Sequence, residues 1–353
     1  MSLIPSILTG FMLPGELRAV ERQEGGHIHD SFRIVAGSGL DERSYLLQRI
    51  NPAVFPDPDA VMANMQVVTA HLAGAVRRRG LRDPERRVIQ LVPTREGGIT
   101  VRDAQGGVWR LVRFIDGTRS GTRAESVADA KEAGRAVGRF QAMLADLQTP
   151  LIETIPGFHD TRARMDALQA AVAADSAGRL AVASQEVGAI LSRREEAERF
   201  EVLREAGELP IRVVHNDAKI ANVLFDVRSG EGICLVDLDT VMPGLALHDL
   251  GDLVRSVATN AMEDEPDVRR VAVRSHYVEA AIGGYLAEAG SMLNAVEREH
   301  LKQAGRVITL EQSARFLTDF LEGDVYYPVR RPNQNLDRSR VQLAIYEGLS
   351  VLR

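Results

Sequence analysis

The chain has 353 residues, enough for two domains or one large two-lobed unit, and its 45% hydrophobic and 26% charged residues mark an ordinary globular protein. A net charge of −6, with no Lys/Arg block beyond Arg77–Arg79, argues against a nucleic-acid partner, and no window holds the roughly 18 apolar residues of a membrane span. The N-terminal MSLIPSILTGFML lacks the basic region and cleavage site of a signal peptide, and the single cysteine, Cys234, can form no intrachain disulfide, so a cytoplasmic protein is the default.

The first third reads as strands and turns with one helix. GGHIHDSFRIVAG alternates after a double glycine, and RSYLLQRI is a second short strand. DPDAVMANMQVVTAHLAGAVRRRG repeats apolar residues at helical spacing (Val61, Met65, Val68, Leu72), with Asp57 and Asp59 at its start and Gly80 at its end. RVIQLVPT, GITVRD and VWRLVRFI read as three further strands separated by glycine-rich breaks. Together these predict a mostly antiparallel sheet with a single helix packed on it.

After DGTRSGT the texture changes. AESVADAKEAGRAVGRFQAMLADL is a strongly amphipathic helix, and Ala/Leu/Arg/Glu-rich helical segments run on to about Gly207. IRVVHNDAKIANVLFD and GICLVDLD interrupt them as short strands, the latter holding Cys234 as a buried strand thiol. From Leu250 to the end the pattern is again mainly helical. The fold class is therefore α+β, with a small sheet-rich N-lobe over residues 1–115 and a larger helical C-lobe over residues 116–353.

HNDAKIAN carries the chemistry. Phosphoryl transfer needs a carboxylate to orient the attacking hydroxyl and take its proton, a cation near the moving phosphoryl, and oxygen ligands for Mg²⁺. Asp217, Lys219 and Asn222 supply all three in the order D-x-K-x-x-N, on a loop that follows a strand. Lys219 can reach γ-phosphate oxygens, and Asn222 can ligate a hard cation through its amide oxygen. Fifteen residues after Asn222, Asp237 ends the strand CLVD, where its carboxylate can share that metal. Asp239, two residues on, projects to the same side and can ligate a second metal or cap the following turn. Alone, D-x-K-x-x-N would describe an Asp–Lys surface pair; the second strand ending in Asp is what makes the pattern specific.

HNDAKIANVLFD followed by LVDLDT resembles the catalytic loop and metal-binding segment of the protein-kinase-like bilobal fold, and is similar to the aminoglycoside phosphotransferase and choline kinase superfamily. GGHIHDSF, YLLQRINPAVFPDP, VDLDTVMPGL, HDLGDLVR, RFLTDFLEGDVYY and NLDRSRVQ further resemble the N-acetylhexosamine 1-kinases of that superfamily. The resemblance implies ATP and Mg²⁺ as cofactors. It also implies Asp217 as catalytic base, Asn222 and Asp237 as Mg²⁺ ligands, His215 as support behind the loop, and Asp249 as the carboxylate that hydrogen-bonds the loop backbone; Asp249 can also cap a helix starting at Leu250.

For the nucleotide, the resemblance implies that Gly25 and Gly26 bend over the phosphates, a role that a plain β-turn explains equally well. The backbone of Arg113, Phe114 and Ile115 would pair with adenine. One departure stands out: the strand position that carries a lysine in kinase-like proteins is Gln48, and the helix from Pro58 to Arg79 contains no glutamate to pair with it. Gln48 can donate to a phosphate oxygen, with neighbouring Arg49 as a substitute. For the acceptor, EQSARFLTDFLEGDVYY offers Arg315, Asp319, Asp324, Tyr326 and Tyr327, with Asp30 as a contact from the N-lobe. Arg315 reads equally as a salt-bridged surface residue on a helix over 308–322. The resulting expectation is an ATP-dependent kinase of a small-molecule sugar, at the anomeric hydroxyl of an N-acetylhexosamine. Aminoglycoside, choline or homoserine kinases are the enzymatic alternatives, and a nucleotide- or sugar-sensing pseudokinase the non-enzymatic one.

Overall fold

The structure is a computed structural model that describes residues 3–23 and 28–352. Gly25 and Gly26 lie outside the described residues. Helix α1 (Leu3–Leu8) precedes strands β1 (Leu17–Arg22), β2 (Asp30–Ala36) and β3 (Arg43–Arg49), helix α2 (Pro58–Arg78), and strands β4 (Thr100–Arg102) and β5 (Val108–Arg113). The strands form one antiparallel sheet in the order β1-β2-β3-β5-β4. RVIQLVPT is not a regular strand. It makes only isolated bridges, Leu91 to Val112 and Thr94 to Phe11, because β4 and β3 already occupy most of the pairing capacity of β5. The apolar N-terminal stretch is a helix whose Ile4, Ile7 and Leu8 pack on the outer face of the sheet with Ile34, Leu47, Trp109 and Leu111.

Period-two alternation divides this sheet cleanly. Trp109 and Leu111 face α1, while Val108 and Val112 join α2 in the main core. Arg110 therefore points inward with them, a buried guanidinium on a strand of otherwise apolar inward residues. Helix α2 starts where the sequence predicts: Asp57 accepts the Ala60 N–H (2.9 Å), Pro58 follows it, and Gly80 takes a left-handed φ of 62° after the end.

Beyond the sheet come β6 (Thr118–Arg119), helices α3 (Val127–Leu144), α4 (Thr161–Ala174), α5 (Leu180–Leu191), α6 (Arg194–Ala197) and α7 (Arg199–Glu205), and strands β7 (Arg212–Val214), β8 (Val223–Asp226), β9 (Gly232–Leu235) and β10 (Met242–Gly244). Helices α8 (Ala246–Val257), α9 (Ser275–Ala289), α10 (Ala295–Glu299), α11 (Leu301–Glu322) and α12 (Gln334–Ser350) complete the chain. The two strands bounding HNDAKIAN belong to different ladders, β7 with β10 and β8 with β9. That split leaves the loop between them at a junction, held from several sides. Among the described residues no helix is long and apolar enough to cross a membrane. Cys234 is buried in β9, and burial pushes its thiol up to about 12.

Helices α3 and α9 cross at backbone contact. A methyl added at Gly134 would meet the Ala281 carbonyl, one at Gly138 the Tyr285 carbonyl, and one at Gly284 the Lys131 carbonyl. These glycines set the depth at which Tyr285 reaches Gln141 behind the loop over residues 215–222 (2.6 Å). Gly284→Ala is expected to lower stability by about 1–3 kcal/mol through overpacking. Gly188→Ala, on α5 with open space around it, should be neutral or stabilising by up to about 1 kcal/mol. Urea-unfolding midpoints of the two variants check the contrast.

Candidate active site

Residues 215–222 carry the candidate catalytic groups, and the backbone before the loop's carboxylate is fixed first. The buried Asp249 of α8 accepts from the His215 N–H (2.9 Å) and the Asn216 N–H (2.7 Å), and Gln141 of α3 donates to it (2.7 Å). Asp249 does not cap its helix, which begins at Ala246. Thr240 donates to the His215 carbonyl (2.7 Å) while Asn216 donates to the Thr240 carbonyl (2.9 Å), stitching this loop to the segment after Asp237. Asn216 sits at a left-handed φ of 63°. His215 is fully buried. Its Nδ1 accepts from the Asp217 N–H (3.3 Å), so Nε2 carries the proton and donates to the Val236 carbonyl (2.9 Å).

Asp217 then projects with both oxygens engaged. Lys219 Nζ lies 3.0 and 2.7 Å from Oδ1 and Oδ2, and Asn222 Nδ2 donates to Oδ2 (2.9 Å) and to the Asp217 carbonyl (2.8 Å). Asn222 thus spends its amide nitrogen on Asp217, and the oxygen is the atom it has for a cation. Burial alone would lower the Lys219 pKa, but the adjoining Asp217 carboxylate raises it, so the ammonium stays charged.

The Val236 N–H donates to the Asn222 carbonyl (2.9 Å), which brings Asp237 beside this loop. Asp237 adopts a left-handed φ of 63°. Burial and then the carboxylates of Asp239 and Asp217 push its pKa up, against the pull of Arg110 and Lys219, with no direct hydrogen-bond donor among the described residues. A half-buried carboxylate without a donor, beside Asp217 and the Asn222 oxygen, suits a hard divalent cation.

Asp239 differs in every respect. Arg110 from β5 grips it with both terminal nitrogens, Nη2 to Oδ2 at 2.8 Å, and His29 Nε2 lies 2.6 Å from Oδ2. His29 Nδ1 accepts from the Asn51 N–H (3.2 Å), so its Nε2 is the protonated nitrogen, and the ring stacks on Phe55 (5.6 Å). Burial would raise the Asp239 pKa; the guanidinium and imidazole hold it well below the usual carboxylate range. As a second metal ligand Asp239 is corrected: its oxygens tie the sheet to the segment beside Asp237. Oxygens and ring nitrogens of His29, Asp237 and Asp239 lie within 4.8 Å of one another, but Arg110 and His29 already engage both Asp239 oxygens.

Several other expectations shift. Gln48 accepts from Arg110 Nε (3.0 Å) and donates to Ser31 Oγ (3.3 Å), so it is bound within the Arg110 cluster instead of reaching for a phosphate. Arg49 lies on the opposite face of β3, against Asp103 (3.5 Å) and the Trp109 ring (6.0 Å), because adjacent strand residues point to opposite sides. Asp30 shares that far face and is exposed, paired with Arg22 (2.9 Å). Asp324 is taken by Arg179 (2.5 Å) and Asn335 (2.9 Å), and so braces its loop at a left-handed φ of 62°. Asp319 accepts the N–H groups of Val325, Tyr326 and Tyr327, organising that loop from below. Tyr326 is 65% exposed, edge-on to Tyr327. Arg113 donates its N–H to the Gln90 carbonyl and Phe114 its N–H to the Ser44 carbonyl; the Ile115 carbonyl accepts from Thr118 (2.7 Å).

Arg315 is no surface residue. Its side chain is 15% exposed, between the rings of Phe158 and Tyr327 at 5.8 Å each, with Glu311 at 3.8 Å. The Tyr327 hydroxyl beside it is buried without a hydrogen-bond partner in the described residues. Sequence reading missed Arg110, His29, His159 and Glu311. The available signal for Arg110 was an arginine at an inward position between Val108 and Val112.

Removing one member of a buried ion pair strands its partner's charge. Arg110→Met is therefore expected to lower unfolding free energy by about 3–5 kcal/mol, and Arg110→Met with Asp239→Leu by clearly less. Denaturant titration of both variants tests whether the two residues act as a unit.

Comparison with known proteins bears on the fold and the family. The fold is similar to that of a microcompartment-associated aminopropanol kinase (15% identity, TM-score 0.65, covering 99% of this chain and 96% of that one). It is similar to spectinomycin phosphotransferase in complex with ADP and spectinomycin (15%, 0.59, 96% and 95%), and to a choline/ethanolamine kinase family protein from Mesorhizobium loti (19%, 0.52, 94% and 93%). The antiparallel sheet and helical remainder are thus the kinase-like α+β fold of these phosphotransferases. Residues 19–285, most of the chain, match the APH phosphotransferase enzyme family, and the protein belongs to that family.

Proposed function

We propose that this protein is a kinase that transfers the γ-phosphoryl group of ATP, with Mg²⁺, to a sugar hydroxyl, and that its acceptor is the anomeric hydroxyl of an N-acetylhexosamine. The observation that carries the reaction is the pairing of Asp217 with Lys219 and Asn222, one backbone hydrogen bond away from the donor-free carboxylate of Asp237. Asp217 orients the acceptor hydroxyl and takes its proton. Lys219, now on Asp217, is within reach of developing phosphoryl charge. Asn222 and Asp237 would hold the metal, which supplies charge neutralisation on the phosphates when bound. The spectinomycin phosphotransferase bound to ADP supports an adenine nucleotide as donor.

The acceptor reading rests on Arg315. A buried guanidinium framed by two aromatic rings, beside an unpartnered tyrosine hydroxyl, offers donors and an apolar face to a ring bearing hydroxyl and amide oxygens. The same cation repels an ammonium, which disfavours choline, aminoalcohols and aminoglycosides. Those remain the alternative acceptors, since the named relatives act on amine-bearing alcohols.

Asp217→Asn is expected to remove turnover, at least about 10³-fold, while nucleotide binding persists. Near-normal activity in that variant would refute the assignment. ³¹P NMR of products from a panel of N-acetylglucosamine, N-acetylgalactosamine, choline, homoserine and an aminoglycoside identifies the phosphorylated hydroxyl.

A second test uses the charge on Asp237. A carboxyl whose folded pKa is raised weakens the fold as pH climbs from its ordinary value, 3.8, through the raised one, and the penalty persists at neutral pH. Asp237→Asn should then melt at or above the wild-type temperature at pH 7 in chelator. Mg²⁺-ATP should raise the melting temperature of the wild type far more than that of the variant. Differential scanning calorimetry with and without Mg²⁺-ATP reads both.

A further inference from the structure

Phe158 and His159 stand in the short connection entering α4, and His159 is buried. Both of its ring nitrogens face acceptors. Nε2 lies 2.8 Å from the Asn216 carbonyl oxygen, and Nδ1 lies 3.0 and 3.1 Å from the two oxygens of Glu311, which is fully buried on α11. A carbonyl oxygen offers only lone pairs. Glu311 is ionised as well: burial opposes its charge, but His159 and then Arg315 hold its pKa below the usual carboxylate range. Both nitrogens of His159 must therefore donate, which makes the ring an imidazolium.

Its surroundings agree. Burial works against the positive charge, while the Glu311 carboxylate, the Asn216 carbonyl and Asp252 of α8 outweigh it and raise the His159 pKa. His248, also on α8, packs its ring 4.8 Å away and stays neutral, pushed down to about 3 by burial and by the charge on His159. Glu201 of α7 accepts the Thr161 N–H (2.9 Å), fixing the connection two residues on. Arg315 faces the cluster across Glu311 at 3.8 Å, Arg204 acts on His248, and Arg255 pairs with Asp252 (2.5 Å).

Asn216 directly precedes Asp217. Asp249 holds the Asn216 N–H, and His159 holds the carbonyl of the peptide that joins Asn216 to Asp217. We propose that His159 is a positioning residue that ties Arg315 to the loop bearing Asp217: its two N–H groups join the Asn216 carbonyl to Glu311, and Glu311 holds Arg315 one helical turn away. The inference rests on the kinase reading above. Acceptor capture and base orientation are then set by one buried cation that touches neither substrate.

Steady-state kinetics of His159→Gln and Glu311→Gln, run with the acceptor the wild type turns over, test the coupling. Each variant is expected to raise the acceptor KM and lower kcat by about tenfold or more, since a small misplacement at the reacting groups is costly. The KM for ATP should stay within about twofold, and the double variant should lose about as much as either single one. Additive losses, or ATP and acceptor terms worsening together, would overturn the proposal. A purely structural weakening would do the latter.

A second readout needs no turnover and no variant. Nitrogen-15 spectra of the histidine rings at pH 7.5 should show one ring protonated on both nitrogens. A full set of neutral rings would overturn the proposal even where the kinase reading stands, while a wild type inert toward every acceptor would refute only that reading. Because the His159 pKa is raised on folding, its stabilisation is complete below the ordinary value of 6.5 and is lost as pH rises through the folded value. His159→Gln should flatten that alkaline limb of the stability profile.

Discussion

Two carboxylates two residues apart, the half-buried Asp237 and the buried Asp239, cannot both stay ionised without help. The fold resolves this by giving nearly all the help to one of them. Arg110 from β5 and His29, just ahead of β2, converge on Asp239, and nearby Asp237 is left without a donor among the described residues. Because Arg110 also binds Gln48 and touches the sulfurs of Met62 and Met65 on α2, this contact draws sheet, helix and the segment after Asp237 together. The unsatisfied charge on Asp237 is thereby aimed where a divalent cation can neutralise it.

The same arrangement gives a physical account of the missing strand lysine and helix glutamate. A buried lysine at position 48 would need a carboxylate, and the one on α2, Asp59, is exposed at the first turn and paired with Arg102. Arg110 enters from the neighbouring strand instead and finds its carboxylate at Asp239, across to the helical part of the molecule. Gln48 is neutral and accepts from Arg110, so it fits beside a guanidinium where a second cation would be repelled. The absence of the usual pair is thus a relocation of charge, and it weakens the case for a pseudokinase that rested on that absence alone.

Much of this was legible in the sequence, and the division follows from range. The D-x-K-x-x-N run lies within a few residues, so Asp217, Lys219 and Asn222 could be grouped from spacing alone, and Asp237 followed from a strand's end. Helix α2 was readable from Asp57, Pro58 and Gly80 because capping is local. Arg110, His29 and Asp239 meet across 129 and 210 residues, which no periodicity reports. Arg49 was misplaced for a simpler reason: its register on β3 puts it one residue, and so one face, away from Gln48. Asp324 was misread because a short polar residue after a helix-ending glycine looks the same in sequence whether it binds substrate or, as here, Arg179 and Asn335. RVIQLVPT has the composition of a strand, but composition does not count the free edges of the sheet it would join.

The polar groups behind the loop over residues 215–222 share a common logic. Asp249, Gln141 and Tyr285 form one hydrogen-bonded line on the side of the Asn216 N–H, and His159 and Glu311 form another on the side of its carbonyl. Neither line reaches solvent, so each bond operates in a low dielectric where a misaligned partner is expensive to leave unpaired. With the peptide on each side of Asn216 held by one of these lines, the residue has little rotational freedom, and its left-handed conformation is stabilised without a glycine. The close approach of α3 and α9 at Gly134, Gly138 and Gly284 brings Tyr285 within reach of the first line. The position of Asp217 is therefore set by buried polar bonds and by small residues well away from it, and the loop leaves Asp217 and Lys219 half-buried at its surface.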